Sequence, residues 1–323
     1  MDEGEVGLKT VLVGSTGFVG GNLAAQYSFD EMYHSTNVQQ AFGSSPDLLV
    51  YVGMPAAKYL SNQDPEKDWQ VAENACRNIQ KINPRKLVLI STVDVYANPL
   101  GADEDTPGDL DQPQAYGRNR ARLEQIVRLQ CPDALILRLP GLFGIGLKKN
   151  FIYDFLHRTP SMLNDTMYRK LSQESDLVAQ CYESQGNGFW KQVAPANKKI
   201  ELENWFAKND FNALCFTDSR SSYQFYDLAC LWKDISFGLM EGLPLLNLSV
   251  EPLRVSELYA YLTDGKSFCN ECAQPPAYYD MRSKYAGCFE GGKDGYCYDK
   301  EAVLRQIAAF VDRERAAMRT END

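Results

Sequence analysis

The stretch VLVGSTGFVGGNLA, residues 11–24, places Gly14, Gly17, Gly20 and Gly21 directly after an apolar run and at the head of a helical pattern. Residues 8–14, LKTVLVG, read as a short buried strand, and FVGGNLAAQYS carries apolar residues at helical spacing. Gly14, Gly17 and Gly20 are spaced G-x-x-G-x-x-G across the junction. Gly14 permits a tight turn, Gly17 lets backbone approach a pyrophosphate, and Gly20 lets the helix pack closely on the strand. The unpaired amides and positive end of the helix then face the phosphates. Gly14, Thr16, Gly17, Phe18, Val19 and Gly20 are therefore candidates for holding a dinucleotide. A tight turn without ligand is the alternative reading. The G-x-x-x-x-G-K-[ST] loop that cradles nucleotide triphosphates is absent.

Outward from this turn, strands and helices alternate. DLLVYVG (47–53), RKLVLIST (85–92) and DALILRLPG (133–141) are apolar throughout rather than at every second residue. Between them lie the helical patterns 64–82, with Asp64 as N-cap and Pro65 at the first position, and 119–130. Continuous apolar strands separated by helices predict an α/β fold, a doubly wound parallel sheet covered on both faces. Beyond residue 150 the regularity fades, and residues 224–242 followed by 243–251 restore one helix–strand pair. Residues 263–298 are loop-rich, and 300–318 form a final helix. The expected organisation is a dinucleotide-binding domain over 1–160, rejoined by about 221–250. Residues 161–220 and 251–323 would form a smaller C-terminal substrate lobe.

Composition narrows the function. The 323 residues are 44% apolar and 24% charged, with net charge −10 and a pI near 4.9. An acidic chain offers no global positive field for nucleic acid or an anionic membrane. No apolar run approaches the about 18 residues that span a bilayer. The acidic start, MDEGEVGLKT, lacks a signal-peptide pattern, and nine cysteines suit reduced thiols, so a cytoplasmic location is expected.

The glycine spacing resembles that of the extended short-chain dehydrogenase/reductases, the nucleotide-sugar epimerases, dehydratases and reductases. VYVGMPAAK (50–58) sits where that family has an apolar strand ending in small residues. STVDVYANP (91–99) resembles its Ser/Thr-rich strand end, and LRLPGLFGIGLKKN (137–150) the loop facing the substrate. The resemblance implies NAD or NADP as cofactor, a nucleotide-linked sugar bound between two lobes, and a homodimer. NAD enzymes commonly carry Asp or Glu at the end of the second strand. Here Ser35, Thr36 and Asn37 are neutral and no arginine adjoins them. The reading leans to NADP, because no carboxylate repels a 2′-phosphate, and leaves NAD open.

The family's catalytic set is a tyrosine, a lysine four residues later and a Ser/Thr closing the fourth strand. The spacing of four puts both side chains on one helix face, where the cation eases ionisation of the phenol. By resemblance Tyr116 is the acid/base and Thr92 the orienting hydroxyl, but the lysine position holds Arg120. Arginine keeps the charge in a longer planar fork. Two readings stay open: Arg120 still holds ribose beside a working Tyr116, or the chain is a catalytically impaired nucleotide-binding member of the fold. A third treats Tyr116 as a packed aromatic only. The dehydratases have Thr-Asp-Glu where this chain has Thr92-Val93-Asp94, so the acid position is Val93. Dehydration is thereby disfavoured against epimerisation or keto reduction, and Asp94 is a catalytic candidate or a cap. Lys148, Lys149 and Asn150, with Arg220 and Arg282, are the substrate-binding candidates for a diphosphate.

Other chemistries fit less well. Cys269 and Cys272 form C-x-x-C, but Cys288 and Cys297 are spaced too widely for an ordinary zinc site, so no metal is expected. His34 and His157 are the only histidines, and no G-x-S-x-G elbow accompanies them to make a hydrolase.

Overall fold

The apolar runs become strands because both of their faces are covered. In the computed structural model, which describes residues 8–320, one sheet contains β1 (Thr10–Val13), β2 (Glu31–Tyr33), β3 (Leu48–Tyr51), β4 (Lys86–Thr92), β5 (Leu135–Leu139) and the strand Leu245–Asn247. The order across it is 245–247, β5, β4, β3, β1, β2, with every neighbouring pair parallel. β1 therefore lies between β2 and β3, and the chain changes its direction of travel across the sheet there. The carboxyl ends of β1 and β3 flank this switch point, the position where open α/β sheets hold their ligands.

The helices cover the sheet through small and branched residues. α1 spans Phe18–Ala24, α2 Lys58–Gln63, α3 Pro65–Ile82 and α4 Ala115–Gln130. Asp64 caps α3 by accepting from the Lys67 amide at 3.1 Å, and Pro65 opens it. Asn83, at φ 56°, ends it ahead of Pro84. Ala72, Ala75, Cys76, Ile79 and Ile82 share its buried face. They pack with Val11, Leu49, Leu87, Leu89 and Ile136 of the sheet and with Leu123 and Val127 of α4. Each fully buried Leu or Ile there contributes about 1.5–3 kcal/mol, so removing Ile79 to alanine costs about 2–5 kcal/mol.

The chain divides into two compact units. The first comprises the residues up to Gly146, Ser222–Leu253 and Tyr278–Gln306, and contains the whole sheet. The second comprises Leu147–Ser221, Arg254–Ala277 and the chain from Ile307. Its own antiparallel sheet orders Met162–Asn164, Phe189–Gln192 and Tyr182–Ser184 side by side. Leu163, Leu171, Val178, Leu202 and Phe206 form the core beneath it.

One element departs from its sequence pattern. Residues 224–242 read as a single helix, but the helix occupies only Leu231–Met240. Phe225–Asp227 is a strand, paired in parallel with Gly141–Phe143, and Asp227 accepts from the Ala229 amide at 2.9 Å to start the turn between them. The aromatic pair Phe225 and Tyr226 is buried on both faces, which strand geometry permits and an amphipathic helix does not.

Candidate functional site

At the carboxyl end of β1 the backbone turns at Gly14, whose φ of +98° is in the left-handed region. A Cβ at Gly14 would stand 2.8 Å from the Val52 backbone beyond β3, and one at Gly20 would stand 2.1 Å from the Gly14 carbonyl oxygen. Only glycines allow these two approaches. The amides of Gly14 and Ser15 donate to the Tyr33 carbonyl at 2.7 and 3.1 Å, tying the turn to the end of β2. Gly17 is the N-cap of α1, and no side chain caps the first turn. Its leading amides are thus directed past the exposed Thr16 and Gly17. Asn22 of α1 donates to the Ile145 carbonyl at 2.9 Å and accepts from its amide at 3.1 Å, so the 144–146 loop is clamped onto the same helix. Ser35 is exposed beyond β2, and the Asn37 side-chain oxygen accepts from the His34 amide at 2.7 Å.

The segment leaving β3 connects this turn to the tyrosine. Val52 lies against Gly14, the Pro55 carbonyl accepts from Arg120 at 2.7 Å, and Lys58 opens α2. Tyr116 is the second residue of α4, and its amide donates to Asn62 of α2 at 2.9 Å. Gly117 explains why α4 can lie so close to the end of β4: a Cβ there would be 1.9 Å from the Asp94 carbonyl oxygen. A second buried ion pair fixes the same helix further along. Arg138 on β5 bonds Glu124 at 2.5 Å and the Tyr96 hydroxyl at 2.6 Å.

The expected Tyr116, Thr92, Arg120 and Asp94 converge here. Burial pushes the Tyr116 phenol above its ordinary pKa. The Arg120 charge, a hydrogen bond with Thr92 and the Lys58 charge pull against that push, and Asp94 adds to it. Thr92 also caps the following turn, its hydroxyl accepting from the Asp94 amide at 3.2 Å. Arg120 is 3% exposed, and its guanidinium stacks over the Tyr116 ring at 4.0 Å from the centroid. It is ion-paired with Asp68 of α3, which also accepts from Ser61 at 2.7 Å and Asn119 at 2.9 Å. Burial alone would raise the Asp68 carboxyl, but these hydrogen bonds and the guanidinium charge outweigh it and hold the group below its ordinary value.

Beside them stands a cluster that the sequence reading did not single out. Lys58 pairs with Asp94 at 2.6 Å and donates to the Tyr279 hydroxyl at 3.3 Å. Burial would depress the ammonium, but the charge of Asp94 and the contact with Tyr279 push it up to about 12. Lys58 lies within the stretch VYVGMPAAK, where the small residues drew the reading and the lysine did not. Tyr279 is 185 residues from Asp94 and carries no local signal. Asp68 could have been found: it is a carboxylate on α3 one turn after the cap, followed by apolar residues at helical spacing.

The remaining candidates are elsewhere. Lys148, Lys149, Asn150 and Arg220 belong to the second unit. The Asn150 side-chain oxygen caps the helix Phe151–Leu156, accepting from Ile152 and Tyr153 at 2.9 and 3.1 Å. Arg220 pairs with Asp218 at 2.8 Å and Glu271 at 3.1 Å. Arg282 is in the first unit, paired with Asp280 at 2.9 Å and stacked on Tyr296. Among the described residues, no group of three or more His, Cys, Asp or Glu is placed to hold a metal ion. No described helix is long and apolar enough to cross a membrane.

No family model and no curated protein matches the chain. Solved structures do. A dTDP-4-dehydrorhamnose reductase from Clostridium acetobutylicum aligns at TM-score 0.61 and 13% identity, over 95% of this chain and 100% of that one. The Bordetella bronchiseptica enzyme WbmG, in complex with NAD and UDP, aligns at TM-score 0.60 and 15% identity, over 95% and 94%. A UDP-N-acetylglucosamine 4-epimerase from Methanobrevibacter ruminantium aligns at TM-score 0.57 and 11% identity, over 96% and 99%. Near-complete coverage in both directions at such low identity is agreement of fold. This chain has the fold of the extended short-chain dehydrogenase/reductases, a parallel Rossmann sheet with a smaller lobe.

Proposed function

We propose that the chain is an NAD(P)-dependent oxidoreductase of nucleotide-linked sugars, with Tyr116 as its proton donor. The observation that carries this reading is the Tyr116 phenol itself: buried, stacked under Arg120, within the influence of Thr92 and Lys58, and joined to the glycine turn by the segment 52–58. The names of the structural neighbours, reductases and epimerases of nucleotide sugars, support the substrate class. The turn fits a dinucleotide's diphosphate: α1 is uncapped, and a Cβ at Gly17 would meet only the Gly14 oxygen, at 3.3 Å, so the side facing away is open.

A bound nicotinamide supplies or accepts hydride at a sugar carbon. The chain's own residues handle the proton. Thr92 orients the sugar oxygen, and Tyr116 gives it the phenolic proton as the carbon is reduced; solvent then restores the phenol. Burial raises the phenol's pKa, so the proton stays on Tyr116 until the sugar oxygen takes it. The sugar 4-epimerases use the same hydride chemistry in both directions within one turnover, so epimerisation stands as the neighbouring activity.

A second reading is favoured by one observation. The Arg120 guanidinium is committed to Asp68 and Pro55, as expected of a chain that binds nucleotide without turning over. The purified protein, offered NADH or NADPH with a panel of dTDP- and UDP-linked 4-keto sugars, separates the two. Reduction of one sugar that vanishes in Tyr116→Phe supports the enzyme. Dinucleotide binding with no product on any sugar supports the binding protein.

A further inference from the structure

We propose that Lys58 is the residue through which this site hydrogen-bonds the sugar hydroxyls of its ligand, a task that Arg120, one turn after Tyr116, is not placed to perform. The inference rests on the proposed dinucleotide-dependent reaction and deepens it. A cation beside a catalytic phenol has two separable tasks: its charge acts through space, and its N–H groups reach the ligand. Arg120 can perform only the first. It is 3% exposed, its two terminal nitrogens donate to Asp68, to Pro55 and to the Tyr116 carbonyl, and its flat face covers the phenol ring.

Lys58 has the complementary properties. Its side chain is 43% exposed, and it stands at the first position of α2, on the segment that begins against Gly14. Asp94 holds the ammonium at 2.6 Å and the Tyr279 hydroxyl holds it at 3.3 Å, the two oxygens lying side by side at 3.4 Å. With these as its partners among the described residues, one of three N–H donors is left for a ligand. Thr92 closes β4 and Asp94 lies in the turn that follows it, and the charges of Asp94 and Lys58 both act on Tyr116. The donor therefore stands within the field of the reacting phenol. Asp94 takes a role different from either acid or base: it aims the lysine. The oxygen-bearing groups that could meet Lys58 are the ribose next to the nicotinamide and the ring of the substrate sugar. Both present the same chemistry, vicinal hydroxyls.

The test uses the full chain and measures binding as well as turnover. Reduced NAD and NADP are titrated by fluorescence against the wild type, Lys58→Gln, Lys58→Arg and Asp94→Asn, in parallel with ADP and 2′-phospho-ADP, which lack the nicotinamide ribose. If the cofactor's ribose is the partner, Lys58→Gln weakens the dinucleotide about tenfold or more, leaves the ADP half unchanged, and is rescued by Lys58→Arg. If the substrate sugar is the partner, dinucleotide affinity holds and the KM for the keto sugar rises about tenfold instead, again with rescue by arginine. In either case Asp94→Asn gives a smaller loss in the same quantity. Two results overturn the proposal: Lys58→Gln changes neither quantity, or it weakens the dinucleotide and ADP equally, the mark of a general structural role. Failure of the wild type to bind any dinucleotide is a different outcome, and removes the proposed function itself.

Discussion

Replacing Asp68 with asparagine isolates the support beneath the tyrosine. Both side chains of the Arg120–Asp68 pair are nearly sealed, at 3% and 5% exposure. Asparagine preserves the shape and can still accept from Ser61 or Asn119, but it leaves a guanidinium charge buried without its counter-ion. Breaking a buried pair by removing one partner costs about 3–5 kcal/mol. In a chain of this size that corresponds to a fall of roughly 4–7 °C in melting temperature. The assay is thermal unfolding followed by circular dichroism, with the double variant Asp68→Leu/Arg120→Met alongside. Removing both charges together recovers most of the loss, because the cost lies in the unpaired ion rather than in the missing bond. The pH dependence has a fixed sign. The Asp68 carboxyl is held below its ordinary value of 3.8, so the pair's contribution is fully present above that pH and disappears as pH falls through the lower folded value. The difference between wild type and Asp68→Asn is therefore constant at pH 6–8 by this linkage and shrinks in strong acid. An Asp68→Asn variant melting within about 2 °C of wild type at pH 7 would refute the reasoning, since it would mean that the guanidinium is solvated or otherwise paired.

Other outcomes follow from the same geometry. Gly117→Ala forces a methyl against the Asp94 carbonyl oxygen, so α4 must shift; overpacking costs about 1–3 kcal/mol, and turnover should fall more than dinucleotide affinity does. Gly20→Ala drives a Cβ into the Gly14 carbonyl, and titration with reduced dinucleotide should show affinity lost. Buried Asp234, bonded by the hydroxyls of Tyr226 at 2.6 Å and Tyr298 at 2.9 Å, has its carboxyl pushed up to about 6 by burial. A raised carboxyl stabilises the fold below its ordinary value of 3.8 and loses that contribution as pH rises through about 6; urea titrations at pH 5 and 8 should show a smaller difference in Asp234→Asn than in wild type.

Much of the first unit was legible because local rules decide it. The G-x-x-G-x-x-G turn, the continuous apolar strands and the Asp64–Pro65 helix start are set by residues a few positions apart, and each appears where the pattern puts it. Tyr116 and Arg120 were readable for the same reason, being one helical turn apart. The partners of Arg120 were not. Nothing in the ten residues around Arg120 indicates that Asp68 and the Pro55 carbonyl will take its hydrogen bonds, since both come from other elements. Lys58 is similar: its meaning depends on Asp94 and on Tyr279, which enters the unit from the segment 278–306. In residues 224–242 the helical period of the later half hid a strand whose reason is its pairing with residues 141–143. Long-range pairing is what a one-dimensional pattern does not encode.

The bonds from Gly14 and Ser15 to the Tyr33 carbonyl carry a lesson for anyone re-engineering dinucleotide preference. The residues that would discriminate a 2′-hydroxyl from a 2′-phosphate begin immediately after Tyr33, while the glycine bend hangs from that residue's oxygen. On the proposed function, exchanging the 34–37 segment would therefore retune one end of the dinucleotide and tug on the other. Chimeras that keep Tyr33 and its backbone direction should preserve grip while changing preference, and those that cut at or before it should lose both together.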